Sequence, residues 1–153
     1  MPSNPTPQPP AFTMPILHLT EDVTGISHFA FRISHFADLA VPLDTGTFAP
    51  PAPPMPISGV KPATGLLYLI LPKGWGGAQH ASPRRQVALC LSGRRRVTAG
   101  GGETRDFSTG AIWRREDVAG TGHTTTVLGE EEVRLAIVQL PPPPGGLIKD
   151  PLT

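Results

Sequence analysis

The sequence predicts an all-β fold, and three observations support this prediction. The chain has 20 prolines and 17 glycines among its 153 residues, a combination that interrupts helices and favours tight turns. Short apolar runs recur between these residues at a spacing typical of a sandwich or a barrel. Apolar residues make up 39% of the chain, which is ordinary for a single domain with one hydrophobic core.

The predicted organisation is one domain at residues 14–140 with a tail at each end. Residues 1–13 are proline-rich and lack a hydrophobic period, so we expect a disordered segment there. A tail rich in proline and glycine follows at residues 141–153. Within the domain, residues 15–25 are expected to be a lead-in segment, and the proline-rich residues 46–63 an extended loop or edge.

Most predicted strands lie in the second half of the chain. Residues 66–71 form a continuous apolar run, as expected for a buried strand, and Tyr68 within it is predicted to lie in the core. Three consecutive glycines at 100–102 predict a hairpin turn. The other strands are predicted at residues 80–91, 95–99, 104–107, 111–115, 123–128 and 133–140.

A five-residue string, ISHFA, occurs at residues 26–30 and again at residues 33–37. A single short copy does not define a structural repeat. We therefore predict that His28 and His35 are ordinary, partly buried histidines of strands or loops.

Composition and charge argue against several classes of function. The net charge is only +1, which gives no strong attraction to nucleic acid or anionic lipid, and the arginines at 94–96 are predicted to be a solvated turn or edge strand. The single cysteine, Cys90, excludes an internal disulfide and is predicted to be a buried small hydrophobe. The polar N-terminus does not resemble a secretory signal, and no apolar run approaches the roughly 20 residues that span a bilayer. We expect a soluble, cytoplasmic protein without nucleic-acid or membrane partners.

One predicted strand carries an unusual line of polar side chains. If residues 80–90 alternate with period two, then His80, Ser82, Arg84 and Gln86 point into the fold together. A slip of one residue would instead bring Arg85 inward. Buried polar groups destabilise a fold unless they have partners, so water, a metal ion or a ligand should compensate this line.

The same segment, GWGGAQHASPRRQVALCLSG at residues 74–93, resembles the first motif of the cupin family, G-x5-H-x-H-x3-4-E-x6-G. In this register, Ser82 replaces the second metal-binding histidine and Gln86 replaces the glutamate. The second motif, G-x5-P-x-G-x2-H-x3-N, is matched at Gly110, Gly120 and His123, but its spacing is longer and its proline and asparagine are absent. The resemblance covers residues 66–140. The positions that match the first motif are Gly74, His80, Ser82, Gln86 and Gly93.

The resemblance implies a cupin-type double-stranded β-helix, a jelly-roll barrel of two facing sheets that pairs through an edge strand into a homodimer. A typical cupin binds Fe, Mn, Ni or Zn through three histidines and a carboxylate. This chain would offer His80, Gln86 and His123, with Glu116 and Asp117 near in sequence. Because His80, Gln86 and His123 carry no negative charge among them, metal binding should be weak unless the substrate or another residue completes the site. Two interpretations remain: His80 and His123 bind a divalent metal ion, or they are only hydrogen-bonded to other groups.

Three functions follow as alternatives. The first is a small-molecule isomerase, dehydratase or lyase in which His80 and His123 act as acid and base and Arg84 anchors an anionic group. The second is a metal-dependent oxygenase that uses His80, Gln86 and His123. The third is a domain that binds a small molecule without chemistry.

The remaining candidate residues line the site in these hypotheses. Trp75 and Trp113 would present flat aromatic surfaces to the substrate, although core packing is the alternative for both. Ser82 and Gln86 would contact the substrate through their polar groups. Arg84 has an alternative role as an ion-pair partner of Glu116 or Asp117.

Overall fold

A computed structural model describes residues 12–26 and 29–143, and within these ranges it confirms the all-β class. The described residues contain no helix, and hence none that is long and apolar enough to cross a membrane. The strands are β1 (Phe12–Ile26), β2 (Phe29–Gly46), β3 (Met55–Ile57), β4 (Gly65–Leu71), β5 (Gln86–Ser92), β6 (Arg94–Ala99), β7 (Thr104–Phe107), β8 (Ile112–Arg115), β9 (His123–Leu128) and β10 (Val133–Gln139).

The strands form two sheets rather than one closed barrel. The larger sheet has seven strands in the order β3-β2-β1-β8-β5-β10-β4, and the smaller sheet has the order β7-β6-β9. All neighbours are antiparallel except β1 and β8, which run parallel. The core lies between the sheets, because alternate side chains of both enter one hydrophobic cluster.

The second half of the chain follows the predicted pattern closely. β7 and β9 have the predicted bounds, and the glycine turn at 100–102 joins β6 to β7. The turn between β5 and β6 depends on Gly93, whose φ is +85° and whose added Cβ would lie 2.4 Å from the Glu132 carbonyl oxygen. Cys90 is buried, as predicted.

The first half of the chain contains a long hairpin that the sequence did not indicate. β1 and β2 pair over their full described length, from Phe12 opposite Leu43 to Ile26 opposite Phe29. Residues 12 and 13, predicted to be disordered, belong to β1, whereas residues 1–11 and 144–153 lie outside the described part. His35 lies in β2 and is half-buried, as predicted; His28 is outside the described residues.

The apolar run at residues 66–71 is a strand, but it is not buried as predicted. β4 is the last strand of the larger sheet, and β10 is its one neighbour within the described ranges. Leu66, Tyr68 and Ile70 are 58%, 71% and 53% exposed. The prediction that Tyr68 lies in the core is therefore wrong, because side chains alternate across a strand and Tyr68 lies on the face of β4 that points away from the core.

Candidate functional site

The two predicted histidines meet where the chain before β5 crosses the start of β9. The His80 N–H donates to the His123 carbonyl over 3.0 Å, and the His123 N–H donates back over 2.9 Å. The centroids of the two imidazole rings are 4.9 Å apart. Gly122 allows this approach, since its φ is +79° and an added Cβ would lie 1.9 Å from the His80 carbonyl oxygen. The structure thus brings together the histidines of both motif segments.

His123 is fixed by a fully buried carboxylate. Its Nδ1–H donates to Asp117 Oδ2 over 2.6 Å, while Ser82 Oγ–H donates to Asp117 Oδ1 over 2.7 Å. His123 and Asp117 have no exposed surface, and Ser82 is 1% exposed. A carboxylate that accepts at Nδ1 holds the imidazole in the tautomer with a lone pair on Nε2. Within the described residues, this buried Nε2 has no hydrogen-bond partner.

His80 occupies the solvent side of the same pair. Its side chain is exposed, and its Nδ1–H donates to the Ala78 carbonyl over 2.9 Å. Both imidazoles therefore have Nδ1 bound to an oxygen, which leaves their Nε2 atoms for other chemistry. The pair extends from the surface at His80 to the closed interior at His123.

Trp113 lies at the centre of the interior rather than at an open pocket wall. It is 1% exposed and meets the His123 ring edge-on at a centroid distance of 5.1 Å. Phe107 stacks on it at 5.0 Å. Its indole Nε1–H has no partner among the described residues. Trp75, by contrast, is partly buried and packs against the edge of the core.

Arg84 does not point inward with Ser82 and Gln86. Residues 83–85 form a bend before β5 begins, so the strict alternation assumed from the sequence is interrupted and Arg84 is exposed. Ser82 and Gln86 are buried on either side of this bend. The exposed position of Arg84 does not support a role as an anion anchor.

Arg85 is partly buried, but its partner is Glu116, with which it forms an ion pair, and not the histidine pair. Glu116 additionally contacts His18 and lies 3.3 Å from Arg114 Nε. Burial would raise the pKa of Glu116, but the hydrogen bonds from Arg85 and His18 and the charge of Arg114 more than offset it and lower this pKa. Glu116 thus interacts with residues other than His80 and His123, whereas its neighbour Asp117 is hydrogen-bonded to His123.

Two arginines that the sequence did not single out lie inside the fold. Arg95 is 1% exposed and Arg115 is 9% exposed, and their guanidinium carbons lie 5.4 Å and 4.8 Å from the Trp113 ring. The prediction that residues 94–96 form a solvated run is therefore wrong for Arg95. The alternation of β6 contains the signal that was missed, because Arg95 shares a face with Val97 and Ala99.

Burial disfavours the charged form of both arginines. Burial lowers the pKa of Arg95, and the neighbouring Cys90 thiol only partly offsets this effect. Burial also lowers the pKa of Arg115 to about 10; the charge of Arg95 adds to the shift and Asp117 opposes it. Because a guanidinium group stays charged in proteins, two positive charges lie beside Trp113.

The residues do not fit a cupin-like metal centre. Within residues 12–26 and 29–143, no three His, Cys, Asp or Glu side chains are grouped so that they could hold a metal ion. Both oxygens of Asp117 already accept hydrogen bonds, and Gln86 offers only a neutral oxygen. The positive charges of Arg95 and Arg115 further disfavour a divalent cation nearby.

Comparisons with known proteins assign this chain to no family. No model of a known protein family matches this chain. A search of curated proteins also gives no match. Among solved structures, the chain is similar to a conserved protein of unknown function from Streptococcus pyogenes, at 21% identity and a TM-score of 0.41, over 56% of this chain and 72% of the other.

Proposed function

We propose that this chain is a cupin-type domain that binds a small organic molecule between its sheets and transfers a proton with His123. The observation that carries this proposal is the buried Nε2 of His123, which has no partner in the described residues although its ring is fixed by Asp117. An imidazole whose ring is fixed through Nδ1 and whose Nε2 has no other partner is suitably placed to act as a general base. The reaction class is an isomerisation, dehydration or elimination.

His123, Asp117 and His80 each have a distinct role in this proposal. His123 Nε2 takes a proton from a substrate carbon, and the electron pair stays on the substrate as an enolate. Asp117 stabilises the imidazolium that forms, because its carboxylate already accepts the Nδ1–H. His80, with its ring centroid 4.9 Å away and its side chain in solvent, returns or exchanges the proton.

The cupin-type jelly roll is part of the proposal. Two facing sheets with a shared core support it, as does the contact between His80 and His123, which come from the two motif segments that resemble the family. The chain departs from the family pattern in two ways. Its strands divide into one sheet of seven and one of three, and Ser82 and Gln86 replace two of the metal ligands. The oxygenase alternative is set aside because the residues do not fit a metal centre.

A binding domain without chemistry is the second candidate function. The observation that favours it is the complete burial of His123, since a base that turns over substrate must be reached by it. A ligand that is enclosed and released unchanged would need only the polar groups, not the basicity of Nε2. The two candidates differ in whether His123 exchanges protons with a bound molecule.

Proton exchange at carbon tests the catalytic proposal. The protein is incubated in D₂O with a panel of oxo and hydroxy compounds, both neutral and acidic, and loss of carbon-bound protons is followed by NMR. We expect exchange with at least one compound, and a rate about 10²- to 10⁴-fold lower in His123→Gln. His35→Gln is the matched control, because His35 is a half-buried strand histidine outside the pair.

Two results would decide against this function. Equal exchange in the parent protein and in a folded His123→Gln variant would show that another group is the base. A compound that binds and comes back without deuterium would favour the binding domain instead.

We also propose a homodimer that pairs through β4, as expected from the resemblance. β4 has one neighbour among the described strands, and its outward side chains Leu66, Tyr68 and Ile70 are exposed. Antiparallel pairing of one edge strand with its own copy is self-complementary. We expect sedimentation to give a dimer that Tyr68→Glu converts to monomer; a monomeric parent protein would contradict this assembly. A cytoplasmic location also stays a prediction.

A further inference from the structure

The interior contains more positive charge than its own carboxylates neutralise. Among the buried residues described, the guanidinium groups of Arg95 and Arg115 carry positive charge, and Asp117 is the one carboxylate. None of the ion pairs found among the described residues involves Arg95 or Arg115. The buried groups therefore sum to one uncompensated positive charge.

The donors of this cluster also lack acceptors. Arg95 Nη1 and Nη2, Arg115 Nε and the Trp113 indole Nε1 are all buried without hydrogen-bond partners in the described residues. Unpaired buried charge is strongly unfavourable, so groups of this kind point to a missing partner. Arg95 and Arg115 both approach the Trp113 ring, which places the four donor atoms around one aromatic side chain.

We propose that Arg95 and Arg115 bind the carboxylate of a small, singly charged organic acid beside Trp113. The two terminal nitrogens of Arg95 form the planar fork that binds both oxygens of a carboxylate. Arg115 Nε and the Trp113 indole N–H supply further donors. One carboxylate cancels the single excess charge, whereas a doubly charged phosphate or sulfate would leave the interior negative.

This inference rests on the proposed function and names its substrate class. The His123 ring and both guanidinium groups lie beside the same Trp113 ring. We therefore place the carbon next to the bound carboxylate on the His123 side of Trp113. Short oxo and hydroxy acids have an acidic C–H at that position. Because the four donor atoms named above are shielded from solvent, the acid must displace side chains as it binds.

Binding is tested on the full chain with acetate and pyruvate, against chloride and sulfate at equal ionic strength. We expect each carboxylate to raise the melting temperature and to shift the Trp113 indole N–H resonance, assigned with a Trp113→Phe variant. Arg95→Met should weaken binding at least tenfold. Arg96→Met is the matched control, because Arg96 is the next residue of β6 but lies on the exposed face beside Asp106.

Other outcomes would overturn the inference. These are equal carboxylate effects in the parent protein and Arg95→Met, no effect of either acid, or an equal response to sulfate. Cys90 provides a further check, since it is the polar neighbour of Arg95. A thiolate absorbance at neutral pH that Cys90→Ala removes would mean that the protein supplies its own counter-ion.

Failure of this inference is distinguishable from failure of the proposed function. Carboxylate binding that depends on Arg95, without exchange of carbon-bound protons, would leave the acid site in place and remove the catalytic role of His123. Exchange that needs His123 but is unaffected by Arg95→Met would support the catalytic role of His123 and overturn the acid site.

Discussion

An Asp117→Asn substitution is expected to slow proton exchange by about 10²- to 10⁴-fold, as much as loss of the base itself, while the protein stays folded. The asparagine has nearly the same shape, but its amide N–H donates to His123 Nδ1 where the carboxylate accepted. The proton then moves to Nε2, and the lone pair that acts as base is lost. A wrong tautomer of this kind is among the largest single effects of an orienting carboxylate. The exchange rate and the ¹⁵N shifts of the His123 ring measure both parts of the prediction.

Glu116→Gln is the matched control for this substitution. It changes the same functional group one residue earlier, where the side chain contacts Arg85 and His18 rather than His123. We expect little change in the exchange rate and an unchanged His123 tautomer. If Asp117→Asn retained the rate of the parent protein, Asp117 would be only a structural partner of Ser82 and His123.

The predictable part of the fold is the part in which glycine turns separate short alternating strands. β7 and β9 have the expected bounds because a turn limits both ends of each strand, and one face of β9 is buried throughout. The β1–β2 hairpin was missed because its strands are long and carry polar and proline residues, such as Pro15 and Pro42, that argue against strands. β1 also pairs in parallel with β8, which is distant in the chain, and no local pattern indicates such a contact.

Part of the candidate site was predictable from the resemblance to a family and from strand alternation. His80 and His123 were singled out because the segments around them resemble the two cupin motifs, and the burial of Ser82 and Gln86 agrees with the expected inward face. Arg84 was misplaced because the bend at residues 83–85 interrupts the alternation.

Asp117 and the two interior arginines were harder to recognise. Sequence proximity suggested Asp117 as a metal ligand, but nothing in the pattern indicated its contact with His123. Charged side chains are rarely buried without partners, so a run of arginines is ordinarily interpreted as solvated. The alternation of β6 places Arg95 on the face of Val97 and Ala99, but this local signal was outweighed by the two neighbouring arginines, and the paired strands β7 and β9 make the burial plain.

Arg95→Met is expected to stabilise the protein in the absence of organic acids, by about 1–4 kcal/mol. Replacement of buried charged groups by apolar residues of similar volume commonly has this effect. The interior around Arg95 is already apolar and aromatic, with Phe107 and Trp113 as neighbours, so a methionine side chain fits the surroundings. Loss of the cation–π contacts reduces the gain but does not cancel it. Urea unfolding of the parent protein and the variant in acid-free buffer measures the difference.

Arg96→Met again serves as the control, because it removes a charge from the exposed face of the same strand and should change stability little. The expected pair of results, higher stability and lost acid binding in Arg95→Met, would mean that the free protein is destabilised by a charge that only a ligand compensates. Addition of a bound carboxylate should then narrow the gap between the two proteins, since only the parent protein gains stability from it. A large loss of stability in Arg95→Met would contradict this reasoning, because it would show that the guanidinium already has a partner within the chain.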